Sequence, residues 1–130
     1  MIEFHIQSHS GVPSYLQIAQ QVRQAIRLGI LAPGDKLPTV KQVVAAVAIN
    51  PNTVLKAYRE LDREGLVDGR RGVGTFVAEG VVALASDDVD SLRRSLGRWV
   101  AEARAAGLDD ENMSALLADT LQPQGKLRVA

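Results

Sequence analysis

The sequence lacks cysteine altogether and is poor in aromatic residues, with one Trp, two Tyr and two Phe among 130 residues. Without cysteine, disulfide bridges, thiol nucleophiles and thiolate metal ligands are excluded. There is no apolar run long enough to cross a bilayer and no charged-then-apolar leader at the start. We therefore expect a soluble, cytoplasmic protein with no membrane partner, whose core is built from aliphatic side chains.

A net charge is also missing, because 15 Lys and Arg residues balance 15 Asp and Glu residues. The charges are unevenly placed, with nine cations against seven anions in residues 1–80 and six against eight in residues 81–130. Contacts with phosphates depend on where cations lie rather than on their total. The zero net charge therefore does not exclude a nucleic-acid partner.

The first half of the chain predicts three helices after a short strand at residues 4–6. The first helix is expected to start with Ser14 as its N-cap and to end at Gly29. The second follows a capping box formed by Thr39 and Gln42. Asn50 then caps a third helix, only about three residues after the second, which is the spacing of a helix-turn-helix.

A glycine-bearing hairpin follows the third helix and predicts a wing. Leu66 and Val67 begin one strand, residues 70–74 form the tip, and residues 75–77 return as the second strand. We therefore expect a mainly α fold with a small β-hairpin wing. Its parts are a winged helix-turn-helix domain over residues 1–79 and a helical dimerisation tail over residues 80–130.

The tail is predicted to hold two amphipathic helices whose apolar faces need a partner, because two helices alone bury little surface. Trp99 fits a core, an interface or an effector pocket, and we favour the interface because Trp is enriched there. The predicted dimerisation residues are Leu92, Leu96, Trp99, Val100, Leu116, Leu117 and Leu121.

Several motifs in order resemble the GntR family of bacterial regulators, over roughly residues 13–78. They are residues 15–18 (YLQI), 29–39 (GILAPGDKLPT), 50–54 (NPNTV), 64–67 (EGLV) and 71–77 (RGVGTFV). The start of the third helix and the short tail are similar to the YtrA-type branch. The resemblance implies a repressor that binds a palindromic operator as a homodimer, without a cofactor, and that controls a membrane-transporter operon.

The resemblance also implies roles for individual residues. Thr39 and Lys41 match phosphate-contacting positions, and Asn50, Asn52 and Thr53 match the base-reading start of the recognition helix. Arg71 and Gly72 match the wing tip that enters the minor groove.

Three residues depart from the family pattern. Lys41 and Leu55 stand where an Arg is found in other members, and Ala48 stands where the turn has Gly. The family's bidentate phosphate contact therefore does not carry over to Lys41. The same holds for the form of the turn at Ala48 and for the base preference associated with position 55.

Residue chemistry independently supports a major-groove helix and a minor-groove wing. Asn52, Thr53 and Lys56 lie off the apolar stripe of the third helix, where Asn can pair with adenine and Lys with guanine. Arg70 and Arg71, beside glycines that allow close approach, suit a narrow and negative minor groove.

Other functions are less well supported. Ser10 and Ser14 lie near His9 without an acid and base placed around either serine, so no enzyme is expected. His5 and His9 lack further ligands for a metal. The alternative is a winged helix that contacts only proteins, which the basic residues disfavour. A small-molecule effector of unknown identity is a further candidate partner.

Overall fold

The computed structural model describes residues 2–81 and 86–122, which form parts of two compact units, Met1–Val89 and Asp90–Ala130. The predicted tail includes residues 82–85 and 123–130, which lie outside the described residues. In chain order the elements are α1 (Ser14–Arg27), α2 (Val40–Val47), α3 (Pro51–Arg63), β1 (Val67–Arg70), β2 (Gly74–Val77), α4 (Ser86–Ala105) and α5 (Asp110–Leu121). This order confirms a winged helix-turn-helix followed by two helices.

The N-terminal segment is extended, but the prediction of a strand at residues 4–6 is wrong. Its backbone pairs with side-chain amides of α1 instead of with another strand. The His5 N–H donates to Gln21 Oε1 at 3.0 Å, and Gln21 Nε2 donates back to the His5 carbonyl at 2.7 Å. The buried Gln17 holds Gln7 in the same reciprocal way. These amides satisfy the backbone and let Phe4 pack into the core.

The predicted N-cap of α1 is also wrong by one residue. Ser14 is the first helical residue, and Pro13 occupies the cap position without a side-chain hydrogen bond. The Pro13 carbonyl accepts from the backbone N–H groups of Leu16 and Gln17 at 3.0 and 3.1 Å. Proline sets its own φ, here −54°, so the helix starts here without the hydroxyl that the sequence offers.

The helix-turn-helix follows the predicted caps. Thr39 and Gln42 form a full capping box at the start of α2. Ala48 ends α2 in the left-handed conformation, with φ 53° and ψ 47°, so the turn keeps a glycine-type geometry without glycine. For an L-residue with a Cβ, this conformation costs roughly 1–2 kcal/mol. The turn therefore carries backbone strain at Ala48.

The core of the first unit lies where α1, α2 and α3 meet the wing. The predicted stripe of α3 is confirmed, since Val54, Ala57, Tyr58 and Leu61 are all buried. Val67 and Val77 pair across the base of the hairpin and close the core from the wing side. Burying one face of α3 in this way leaves its opposite face to solvent.

Candidate nucleic-acid interface

The start of α3 is held by its own cap. The Asn50 side-chain oxygen accepts from the Asn52 backbone N–H at 2.8 Å, and Pro51 occupies the first helical position. The capping oxygen of Asn50 is thus engaged within the protein, leaving its amide N–H₂ for other contacts. Asn52 is exposed at the second helical position, and Thr53 beside it is half-buried.

Lys56 is exposed on the same helix, but its position is set by an aromatic ring from α1. Its ammonium nitrogen lies 4.1 Å from the centroid of Tyr15, which is the geometry of a cation–π contact. Sequence analysis missed Tyr15, because the contact joins two helices that are far apart in the chain.

Arg59 is a second residue that sequence analysis missed. It is exposed and stands seven residues after Asn52 and three after Lys56, so the three share one helix face. Helical spacing alone indicates this placement. Arg59 also lines a cleft of about 260 Å³ between α3 and the wing, together with Thr39, Leu55 and Thr75. Leu55 is half-buried there rather than presented outward.

Tyr58 fixes the start of α2 against the middle of α3. Its hydroxyl donates to the Pro38 carbonyl at 2.6 Å, and burial raises the pKa of this phenol, so it remains a donor. Thr39 and Lys41 follow directly. The Thr39 hydroxyl oxygen accepts from the Gln42 N–H at 3.1 Å, and Lys41 is exposed. One buried hydrogen bond thus joins the start of α2 to the middle of α3.

The wing presents its cations at and beside a three-residue tip. Arg71, Gly72 and Val73 are exposed between the strands, and Gly72 has a φ of 76° that favours glycine. Arg70 is not part of the free tip, because it pairs with Gly74 and its guanidinium lies 4.6 Å from the Phe76 ring centroid. Of the two predicted wing arginines, only Arg71 lies at the turn itself.

The wing is tied to α3 by one carboxylate. Asp62 Oδ2 accepts from the backbone N–H of Gly69 at 3.3 Å, and a Cβ at position 69 would lie 3.5 Å from the same oxygen. This contact links the base of the wing to the helix that carries Asn52 and Lys56.

At the far end of α3, Glu64 forms a two-point ion pair with Arg23 of α1. Arg23 Nε donates to Glu64 Oε1 at 2.8 Å, and Arg23 Nη2 donates to Oε2 at 2.5 Å. These hydrogen bonds lower the pKa of the Glu64 carboxyl and raise the pKa of the Arg23 guanidinium. The pair joins α1 to α3 away from the exposed start of α3.

The second unit exposes much of the predicted dimerisation surface. Its exposed leucines are Leu92 (69% exposed), Leu96 (49%), Leu116 (43%), Leu117 (46%) and Leu121 (74%). Trp99 and Val100 are half-buried, whereas Ala103 and Met113 are buried. Asp109 and Asn112 form a capping box at the start of α5.

Within residues 2–81 and 86–122, no group of three or more His, Asp or Glu side chains could hold a metal ion. No helix in those ranges has the length and apolar character needed to traverse a membrane.

Comparison with known proteins points to one family. Residues 14–77 match the profile of bacterial regulatory proteins of the gntR family. The HTH-type transcriptional repressor YtrA of Bacillus subtilis is 38% identical over 109 residues, which cover 83% of this chain and 84% of that protein.

Two solved structures extend the likeness. A protein from Listeria monocytogenes described as a transcriptional antiterminator has a TM-score of 0.61 and 29% identity, covering 93% of this chain and 91% of its own. The DNA-binding domain of AraR in complex with operator ORX1 has a TM-score of 0.53 and 29% identity, covering 59% of this chain and 96% of its own.

Proposed function

This chain belongs to the GntR family of bacterial regulatory proteins and is a DNA-binding transcriptional regulator of the YtrA type, and we propose that it is a repressor that binds a palindromic operator as a homodimer. The observation that carries this proposal is the exposed face of α3. Asn52, Lys56 and Arg59 share that face, and Arg71 stands at the wing tip beyond it. A helix of this kind fits the major groove.

We assign three sets of contacts to this interface. Asn52, Thr53 and Lys56 read base edges in the major groove, with Asn50 adding its free amide N–H₂. Thr39 and Lys41 contact phosphates beside it. Arg71 and Gly72 enter the minor groove, where arginine is favoured by the negative potential. Arg70 contributes charge from the side of the wing.

The exposed leucines of α4 and α5 support the homodimer. Contiguous apolar side chains on a small protein mark an interaction surface, and a second copy is the simplest partner for it. The interface assigned here consists of Leu92, Leu96, Trp99, Val100, Leu116, Leu117 and Leu121. We keep residues 1–79 as the DNA-binding domain and residues 80–130 as the dimerisation tail.

A two-fold dimer has direct consequences for the operator. Two identical recognition helices require two inverted half-sites, centred about 34–36 Å apart or at a multiple of that distance. The resemblance to YtrA-type regulators further supports a transporter operon as the target and the cytoplasm as the place of action. An effector, if this protein has one, is of unidentified chemistry.

Selection of duplexes from a random pool, followed by a salt titration with the selected duplex, tests the proposal. We expect enrichment of an inverted repeat and an affinity that falls steeply with salt, because cations displace counterions from phosphates. The competing function, a winged helix that contacts only proteins, predicts no enrichment and no duplex binding. Either of those two results would reject the proposed function.

A further inference from the structure

The wing hairpin has an inner and an outer face, which its register separates. Val67 pairs with Val77 and both are buried, so they mark the inner face. Side chains alternate along a strand, so the outer face carries the next pair, Asp68 with Phe76, and the pair at the end of the strands, Arg70 with Gly74. We call this surface the outer wing face.

Lys36 extends the outer wing face from a neighbouring segment. It forms an antiparallel bridge with Phe76, while Leu37 N donates to the Thr75 carbonyl at 2.8 Å and Val77 N donates to the Asp35 carbonyl at 2.8 Å. Directly paired residues project on the same side of a sheet. Lys36 therefore shares the face of Phe76, whereas Leu37 points into the core and is buried.

The side chain of Lys36 lies across the open position at Gly74, where a Cβ would have to displace the end of the lysine side chain. A Cβ built on Gly74 would lie 2.7 Å from Lys36 Cε and 3.5 Å from Lys36 Nζ. The missing side chain at Gly74 thus lets the lysine cross the strand. Since Gly74 is the direct partner of Arg70, both cations are brought to the same end of the outer wing face.

The two cations have no acidic partner among the described residues. Arg70 packs on the Phe76 ring at 4.6 Å. Within residues 2–81 and 86–122, neither Lys36 nor Arg70 has a carboxylate within 4.0 Å, although Asp68 belongs to the same face. Two positive charges at the same end of one face, without a carboxylate within reach, suit an anion supplied from outside.

We propose that Lys36 and Arg70 together bind a backbone phosphate of the operator, on the strand that borders the minor groove entered by Arg71. This inference rests on the proposed DNA binding and adds Lys36, which neither the helix-turn-helix nor the wing tip includes. The contact is sequence-independent, because phosphates carry no base information. Its role is to set how deeply the wing tip enters the groove.

The test compares the salt dependence of binding for the wild type, Lys36→Gln, Lys36→Arg and a control, Arg27→Gln, using the duplex selected by the wild-type protein. Arg27 is an exposed cation at the end of α1, and it lies near Glu64 at the far end of α3. For Lys36→Gln we expect the slope of log affinity against log salt to become shallower by about 0.9, the value for one lost phosphate contact. The relative preference among single-base variants should not change.

The control arms separate the possible outcomes. Lys36→Arg should keep the wild-type slope, and Arg27→Gln should stay close to it. Phosphate-ethylation interference should show one position per half-site that no longer matters in Lys36→Gln. If Lys36→Gln matches Arg27→Gln in slope and interference pattern, the Lys36 contact is wrong while DNA binding stands. If the wild type binds no duplex, the proposed function itself fails, and this contact with it.

Discussion

The Lys56 ammonium lies over the face of Tyr15, 4.1 Å from the ring centroid, so the first residues of α1 determine where a side chain of α3 is held. A lysine has a flexible four-carbon stem and loses considerable rotamer entropy when it is fixed. The ring removes part of that cost before DNA arrives. We therefore expect Tyr15 to act as a positioning residue for Lys56 rather than to contact bases itself.

Replacing Tyr15 with Leu should weaken operator binding about two- to fivefold, because an exposed cation–π contact contributes about 0.5–1 kcal/mol. Tyr15→Phe keeps the ring and should restore both affinity and base preference. The measurement is a titration against the selected duplex and its single-base variants. In a Lys56→Met background, Tyr15→Leu should have no further effect on base preference. An additional loss of preference there would show that Tyr15 does not act through Lys56.

Truncating Asn52 to Ala should cost about 1–3 kcal/mol of operator binding and relax the preference at one base position. Its side chain is exposed at the second position of α3, while its backbone N–H is already used by the Asn50 cap. The truncation should therefore leave the helix start intact, which circular dichroism can verify. A full single-base preference profile is the readout, and a profile identical to the wild type would remove Asn52 from the base-reading set.

Ala48→Gly should raise the free energy of unfolding by about 0.5–1 kcal/mol. Glycine removes the strain of the left-handed conformation, and its greater freedom in the unfolded chain offsets part of that gain. Ala45→Gly is the matched control, because Ala45 is exposed within α2. Glycine at that helical position should lower the free energy of unfolding by about 1 kcal/mol. Urea unfolding of both variants gives the two values. If both substitutions lowered the free energy of unfolding, the turn at Ala48 would not be strained.

The ion pair between Glu64 and Arg23 should contribute stability that depends on pH. The folded state lowers the pKa of Glu64 from its usual 4.5, because Arg23 hydrogen-bonds the charged form. The contribution is therefore complete above pH 4.5 and is lost as the pH falls through the lowered value.

We expect Glu64→Gln to be less stable than the wild type by up to about 1 kcal/mol at pH 7, the upper end for exposed pairs. As the pH falls through the lowered pKa of Glu64, the denaturant concentrations at which the two proteins unfold should converge. Glu102→Gln, on the exposed surface of α4, serves as the control and should unfold at the same denaturant concentration as the wild type at pH 7. A difference between wild type and Glu64→Gln that persists in acid would argue against the pair.

Leu96→Asp should convert the proposed dimer into a monomer, because a charge would be placed within an apolar interface. Ala101→Asp introduces the same charge on an exposed side chain of α4 that lies neither three nor four residues from any residue of the assigned interface, and it should leave the dimer intact. Light scattering reports the mass of each protein. A wild-type protein that is monomeric at micromolar concentration would reject the assigned interface.

Local chemistry predicts the helix-turn-helix well and its surroundings less well. Thr39, Gln42 and Asn50 cap helices through hydrogen bonds to residues two or three positions away, so the pattern is visible in the sequence. The strand predicted at residues 4–6 was wrong for the opposite reason. The Gln17 and Gln21 amides that replace a neighbouring strand come from a helix ten or more residues further on.

In the candidate interface, too, local features are predictable from the sequence and tertiary contacts are not. The exposed positions of α3 follow from helical spacing, and that spacing includes Arg59 as well. Three features depend on tertiary contacts with no periodic signature. They are the ring under Lys56, the packing of Arg70 on Phe76 and the passage of Lys36 over Gly74.

The cap at Asn50 also limits how this protein can be re-targeted to new operators. Its oxygen and Pro51 define where the helix begins, so a change there would tilt or fray every residue that follows. A combinatorial library that varies Asn52, Thr53 and Lys56 while keeping positions 50 and 51 constant would explore new base preferences from an unchanged starting point. Positions 50 and 51 should therefore be kept in any redesign of α3, whereas the exposed positions that follow can be varied.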